Sequence, residues 1–219
     1  MFGAQPRRAG GVQFRLWAPG RERVRLELLL LDDAPAAESH AMSRRDDGWH
    51  EAIVEHAGPG TLYRYRLDDA LAVPDPASRF NPRGVHGPSE VIDPAAWRWH
   101  DAGWRGRPWH EAVISEIHVG TFTPEGRLDT AAGRLAELRA LGVTAVELMP
   151  LAAFAGMRGW GYDGVLPYAL HPAYGRPQDL RHFVDTAHAL GMMVLLDVVY
   201  NHFGPEGNYL PACCPEFFD

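Results

Sequence analysis

The sequence predicts a multidomain protein of β followed by α/β class: an N-terminal immunoglobulin-like β-sandwich, then the first three β/α units of a TIM (β/α)8 barrel, truncated. Three observations lead there. Short segments that alternate apolar and polar residues, parted by turn signals, fill the first part of the chain. From residue 113 onward, near-continuous apolar segments alternate with helical ones. Polar and aromatic residues gather just after the C-terminal end of each apolar segment.

In the first region, residues 1–95, Val12 to Trp17 alternates and then turns at Pro19-Gly20. Arg23 to Leu28 alternates again, Gly48 to Val54 is a third candidate strand, and Leu62 to Leu67 follows the turn Gly58-Pro59-Gly60. Several half-buried strands with turns between them describe a small antiparallel sandwich. Residues 73–95 carry many Pro and Gly and few periodic apolar positions, so they read as an irregular connector. Residues 96–112 read as a linker.

In the second region, 113–219, Val113 to Val119 is the first apolar strand. Thr130 to Leu141 reads as one helix, with Leu135, Leu138 and Leu141 on one side and a stop at Gly142. Val143 to Leu148 is the second strand. Pro177 opens a helix whose apolar face is Leu180, Phe183, Val184 and Ala187, and Gly191 ends it. Met193 to Val199 is the third strand. Such strands imply a parallel sheet buried on both faces. An open doubly wound sheet and a barrel both fit. The open nucleotide-binding sheet calls for a glycine-rich phosphate turn after its first strand; Val119 to Pro124 offers none, and the clustering at strand ends favours a barrel. Three strands leave a barrel unclosed, with an apolar edge exposed, so the natural protein is expected to continue past Asp219.

Composition narrows the partners. The 219 residues are 46% apolar and 22% charged, with a net charge of −7, and every one of the 21 basic residues is Arg. No basic footprint for nucleic acid is present, no stretch has the length of a membrane span, and no apolar run follows Arg7 and Arg8 to make a secretory signal. Cys213 and Cys214 are adjacent and cannot staple distant segments, which points to a reducing cytoplasmic setting. Seven Trp, seven Tyr and nine Phe supply the core, with a surplus suited to stacking on sugar rings.

Two clusters carry candidate chemistry. Asp197 sits in Leu195-Leu196-Asp197-Val198-Val199-Tyr200-Asn201-His202, a carboxylate among apolar neighbours at a strand end. It is either paired for a function or fixes the following turn through backbone bonds. His202 either meets a ligand or satisfies a loop carbonyl. The long loop after the second strand holds Gly159-Trp160-Gly161-Tyr162-Asp163-Gly164. Its glycines let the backbone bend and present a ring to a cleft, or pack that ring into the core.

At these residues the chain resembles the α-amylase-type glycoside hydrolases. Asp197 to His202 (DVVYNH) is similar to their first signature region, and Glu116 to Phe122 (EIHVGTF) resembles the first barrel strand of their trehalose-forming and glycogen-branching branch. Pro74 to Pro94, Gly159 to Ala169 and Asn201 to Leu210 extend the likeness over nearly the whole chain, and fit the trehalose-forming members best. The resemblance implies a cytoplasmic enzyme that hydrolyses the α-1,4 bond beside the terminal trehalose of maltooligosyltrehalose, with no cofactor. It implies a sandwich similar to a starch-binding module. Carried over, Asp197 supports the subsite of the sugar to be cleaved, His202 donates to that sugar's hydroxyls, Tyr162 is the stacking platform beneath it and Asp163 hydrogen-bonds nearby. The position of Asn201 binds calcium in many amylase relatives but not generally in this branch, so no metal is assigned. The family's nucleophile, acid/base and stabilising carboxylate follow later strands, so no catalytic residue is assigned in this chain and the segment alone is expected to be inactive. Within the same family a branching or debranching enzyme is the alternative; outside catalysis, a glycan-binding protein is.

Overall fold

The computed structural model describes residues 2–29 and 38–218. Two antiparallel sheets come first. One runs β1 (Gln5–Pro6), β2 (Val12–Trp17), β6 (Trp49–Val54), β5 (Ser43–Arg44); the other runs β4 (Glu38–Ala41), β3 (Val24–Leu29), β7 (Leu62–Leu67), β8 (Leu71–Val73), with β9 (Ser89–Glu90) also paired to β7. The alternation read from the sequence has its cause here. Val12, Phe14 and Leu16 of β2 meet Val24, Leu26, Tyr63, Tyr65 and Leu67 of the facing sheet in one core, while their polar neighbours point outward. Phe14 packs edge-on against Tyr63 at 4.9 Å between ring centroids.

The stretch 73–95 is irregular, as expected, yet it is not loose. Asp75, Ser78, Asn81, Ser89 and Glu90 are all buried. Their side chains satisfy the backbone that a ladder would otherwise pair: Ser78 donates to the Phe80 carbonyl, Asn81 to that of Gly87, and Ser89 accepts from the Asp75 amide. Asp75 itself lies 1% exposed under the sandwich, with hydroxyls of Tyr63 at 2.7 Å and Tyr65 at 3.4 Å. Burial pushes its carboxyl up to about 6, against the pull of the Tyr63 hydroxyl, the Ala77 amide and the Tyr65 hydroxyl. A folded-state pKa above the ordinary 3.8 means stability that is complete below pH 4 and lost as pH rises through 6. The ionised form costs about 3 kcal/mol. Asp75→Asn removes that cost, so its melting temperature should climb relative to wild type from about pH 4 to pH 6.5 and then stay level. A difference that stays flat with pH would contradict this account of Asp75.

The second region is a parallel sheet in the order β10 (Ile114–Ile117), β11 (Ala145–Leu148), β14 (Met193–Leu196). Helices α1 (Val119–Phe122), α2 (Leu128–Ala132) and α3 (Leu135–Ala140) follow β10, and α4 (Pro177–Ala189) precedes β14. Ile117, Val146 and Leu148 pack one face of the sheet onto Leu128, Ala131, Leu135, Phe183 and Ala187. Three expectations are corrected. The single helix over 130–141 is broken at Gly133 into α2 and α3, and Leu141, the C-cap of α3, is 82% exposed rather than on its apolar face. The sheet is covered on one face only among the described residues: Ile114 and Glu116, on the face opposite Ile117, are exposed. The outer two strands are also shorter than read, because His118 already opens α1 and the chain leaves the ladder after the Asp197 amide donates to Leu148.

Between β11 and α4 a short antiparallel pair, β12 (Ala152–Ala153) with β13 (Leu166–Leu170), frames the long loop and was not expected. Residues 96–112 lie along α4, where His100 pairs with Asp185 at 2.8 Å, Asp101 with His188 at 2.6 Å, and Trp104 stacks on the His188 ring at 4.6 Å. The last described segment returns to the sandwich. Helix α5 (Leu210–Cys213) buries Cys213 and Cys214 as free thiols in the sandwich core, Arg21 donates to the Ala212 carbonyl at 2.6 Å, and Trp17 meets Phe217. Half-exposed Arg176, lying over the Phe80 ring at 4.7 Å, is paired with the buried Glu90. Both regions are therefore joined by side chains as well as by the chain itself.

Candidate active-site face

The uncovered face of the parallel sheet carries the chemistry. In the strand register Glu116, Glu147 and Leu195 stand side by side, and they alternate with the residues that pack on the helices. Asp197 follows Leu195 by two residues, which puts it on the same face at the C-terminal end of the strands. Tyr162 reaches it from the long loop: the phenol donates to Asp197 Oδ2 at 2.9 Å. That hydrogen bond, then partial burial, then the charges of Asp197, Glu116 and Glu147 raise the Tyr162 pKa, so the hydroxyl stays protonated as a donor. The residue remains 38% exposed, with its side chain held at the tip.

The loop is shaped to deliver this ring. Gly161 adopts φ +93°, where a Cβ would collide with the Pro150 carbonyl. Gly204 lies against the backbone of Asp163, and its amide donates to the Gly164 carbonyl at 3.2 Å. The Asp163 side chain is exposed beside it. His202 is exposed as well, with Nε2 3.0 Å from the Tyr162 carbonyl and Nδ1 3.0 Å from the Asn201 amide nitrogen. Since the carbonyl only accepts, Nε2–H is the donor and Nδ1 the acceptor. Of the four residues singled out from the sequence, Tyr162 and Asp197 touch, His202 holds the backbone of Tyr162, and Asp163 adjoins them in the chain.

Further residues shape the site without having been singled out. His171, buried and stacked on Phe154 at 3.8 Å, sits 3.0 Å from the Gly156 carbonyl. Burial lowers its pKa and keeps the ring neutral, as its Nδ1 must be to accept from the Ala173 amide. His118 reaches the Gly159 carbonyl at 2.8 Å and Tyr174 adjoins both. The one trace of this in the sequence is a histidine directly after each of two strands, in Ile117-His118 and Leu170-His171. Among the described residues no group of three or more His, Cys, Asp or Glu is disposed to hold a metal ion.

Comparison with known proteins places these residues in a family. The model of the alpha amylase catalytic domain matches residues 83–213, and that of carbohydrate-binding module 48, the isoamylase N-terminal domain, matches residues 1–95. A malto-oligosyltrehalose trehalohydrolase of Deinococcus radiodurans is 48% identical over 99% of this chain, and one from Rhizobium sp. is 47% identical over 94%. The crystal structure of a Salmonella typhimurium protein assigned as an alpha amylase superposes with a TM-score of 0.93, at 50% identity over all of this chain and 36% of that one. The chain spans 35% of the length of each of the two trehalohydrolases.

Proposed function

The chain belongs to the alpha-amylase catalytic-domain family, and from that premise we propose that it is the N-terminal part of a malto-oligosyltrehalose trehalohydrolase. In this reading the whole protein hydrolyses the α-1,4-glucosidic bond next to the terminal trehalose of maltooligosyltrehalose, releasing trehalose and a shorter maltodextrin. The two-sheet region is an immunoglobulin-like module in front of the catalytic domain, and β10, β11 and β14 are the first strands of a (β/α)8 barrel whose mouth is the face bearing Asp197. The two unpaired thiols, Cys213 and Cys214, are in keeping with a cytoplasmic setting.

The observation that carries the proposal is the Tyr162–Asp197 contact at the C-terminal end of the strands. One oxygen of Asp197 accepts from the phenol; the other lone pairs remain for sugar hydroxyls. With its tip anchored, the Tyr162 ring holds a set orientation and offers an apolar face to the axial C–H bonds of a pyranose. His202 keeps the Tyr162 carbonyl in place, and a sugar that displaces this bond gains an imidazole donor. Asp163 adds an acceptor beside them. These residues bind and orient; the bond-breaking carboxyl pair is not assigned among them. Product analysis tests the proposal: a protein of the relatives' full length bearing this segment should release trehalose from maltooligosyltrehalose. Glucose or a newly branched glucan as the product would contradict it.

A further inference from the structure

We propose that His118 is a positioning residue that sets the loop presenting Tyr162 to Asp197. The inference rests on reading Tyr162 and Asp197 as the sugar-binding pair, and it concerns what holds that pair in shape. Three imidazoles take three carbonyls spaced three residues apart along the loop: His171 at Gly156, His118 at Gly159 and His202 at Tyr162, at 3.0, 2.8 and 3.0 Å. His118 holds the middle one. It sits at the end of β10, in extended backbone at the start of α1, so its anchor is the sheet itself. Tyr174, from the turn before α4, brings its hydroxyl within 3.3 Å of the Gly159 carbonyl and 3.2 Å of His118 Nε2, with its ring edge-on to the imidazole at 5.9 Å. A carbonyl has two lone pairs, and here His118 Nε2–H and the Tyr174 hydroxyl both donate to it. Thr121 Oγ1 lies 3.2 Å from the other imidazole nitrogen and completes the node.

The consequence follows from the lengths involved. Only Trp160 and Gly161 separate Gly159 from Tyr162. The Gly161 backbone is packed so closely on the Pro150 carbonyl that a Cβ would not fit, and this contact leaves little room to absorb a shift at Gly159 before it reaches the Tyr162 ring. His118 therefore acts through Tyr162 and touches no sugar. Loss of the node should free the loop, and Arg158, exposed one residue before Gly159, reports it.

The test uses the 219-residue chain without any glucan, so it reads the node whether or not the trehalose reading holds. Trypsin cleavage after Arg158, followed by mass spectrometry, should run about tenfold faster in His118→Ala, the gain in open population expected from one lost buried hydrogen bond. Tyr174→Phe, which removes the second donor only, should give roughly a two- to threefold rise. His118→Gln, whose amide reaches the same carbonyl, should return the rate near wild type. In parallel, the Tyr162 phenol, identified by its loss in Tyr162→Phe, should titrate closer to an ordinary tyrosine in His118→Ala because its bond to Asp197 opens. Wild-type cleavage and unchanged Tyr162 titration in a folded His118→Ala chain would overturn the proposal. If that variant fails to melt cooperatively, the other two decide. Unchanged cleavage in Tyr174→Phe, or a folded His118→Gln chain as exposed as an alanine variant, would overturn it equally.

Discussion

The 219-residue chain by itself is expected to release no trehalose from maltooligosyltrehalose. Retaining glycosidases place two carboxyls about 5–5.5 Å apart, one as nucleophile and one as acid/base. The open face of the sheet bears three carboxyls. Asp197 is engaged by the Tyr162 phenol at the strand end, while Glu116 and Glu147 sit lower, neighbours in the register one strand apart. Neither glutamate occupies a loop at the mouth, where a substrate bond would lie between them. Removal of an essential member of a catalytic unit costs on the order of 10^6 in kcat, so the chain should match buffer within error, not show a reduced rate. Chromatography of products after prolonged incubation checks this. Turnover that survives further purification, and that disappears in Glu116→Gln or Glu147→Gln, would instead move the catalytic pair into this segment.

The second large effect is at Tyr162, measured in a protein of the relatives' full length that carries these residues. Tyr162→Ala removes both the ring face and the donor to Asp197; Tyr162→Phe keeps the face and removes only the donor. A hydrogen bond to a charged group contributes about 1.5–3 kcal/mol, less where water can replace it, and an aromatic contact about 0.5–1.5 kcal/mol beyond its buried area. The expected losses in kcat/KM for trehalose release are therefore roughly tenfold for Phe and a hundredfold or more for Ala. If the ring also holds the sugar in a distorted shape, the Ala variant loses kcat and not affinity alone. Equal damage in the two variants would assign the role to the hydroxyl. Wild-type kinetics in both would make Tyr162 a residue of loop packing.

Much of this fold was legible because local patterns decide it. β2, β3, β6 and β7 alternate in the sequence since each faces a core on one side and water on the other. α4 was bounded correctly by Pro177 at its first turn and by Gly191 just past its end, with Asp179 accepting from the Arg176 amide to cap it. What escaped depends on contacts distant in sequence. The β12–β13 pair uses Ala152 and Ala153, which lack strand character and are paired only because the loop closes there. The burial of the 73–95 stretch depends on Asp75, Ser78 and Asn81 meeting backbone groups, which composition alone reads as exposure. The return of residues 210–218 to the sandwich joins positions 191 apart, as in Arg21 to Ala212, and leaves no periodic trace. The site shows the same division. Tyr162 and Asp197 were each singled out for residue type and setting, but the hydrogen bond across 35 residues is a property of the fold.

The central claim, that this segment belongs to an enzyme recognising a terminal trehalose unit, is tested most directly by a matched pair of substrates. A protein of the relatives' full length bearing the segment is given maltooligosyltrehalose and a plain maltooligosaccharide with the same number of glucose units, and the products are resolved by chromatography. The account predicts trehalose from the first as the main initial product, and little cleavage of the second. Equal consumption of both without trehalose release, or a rise in branch linkages in either, would contradict it.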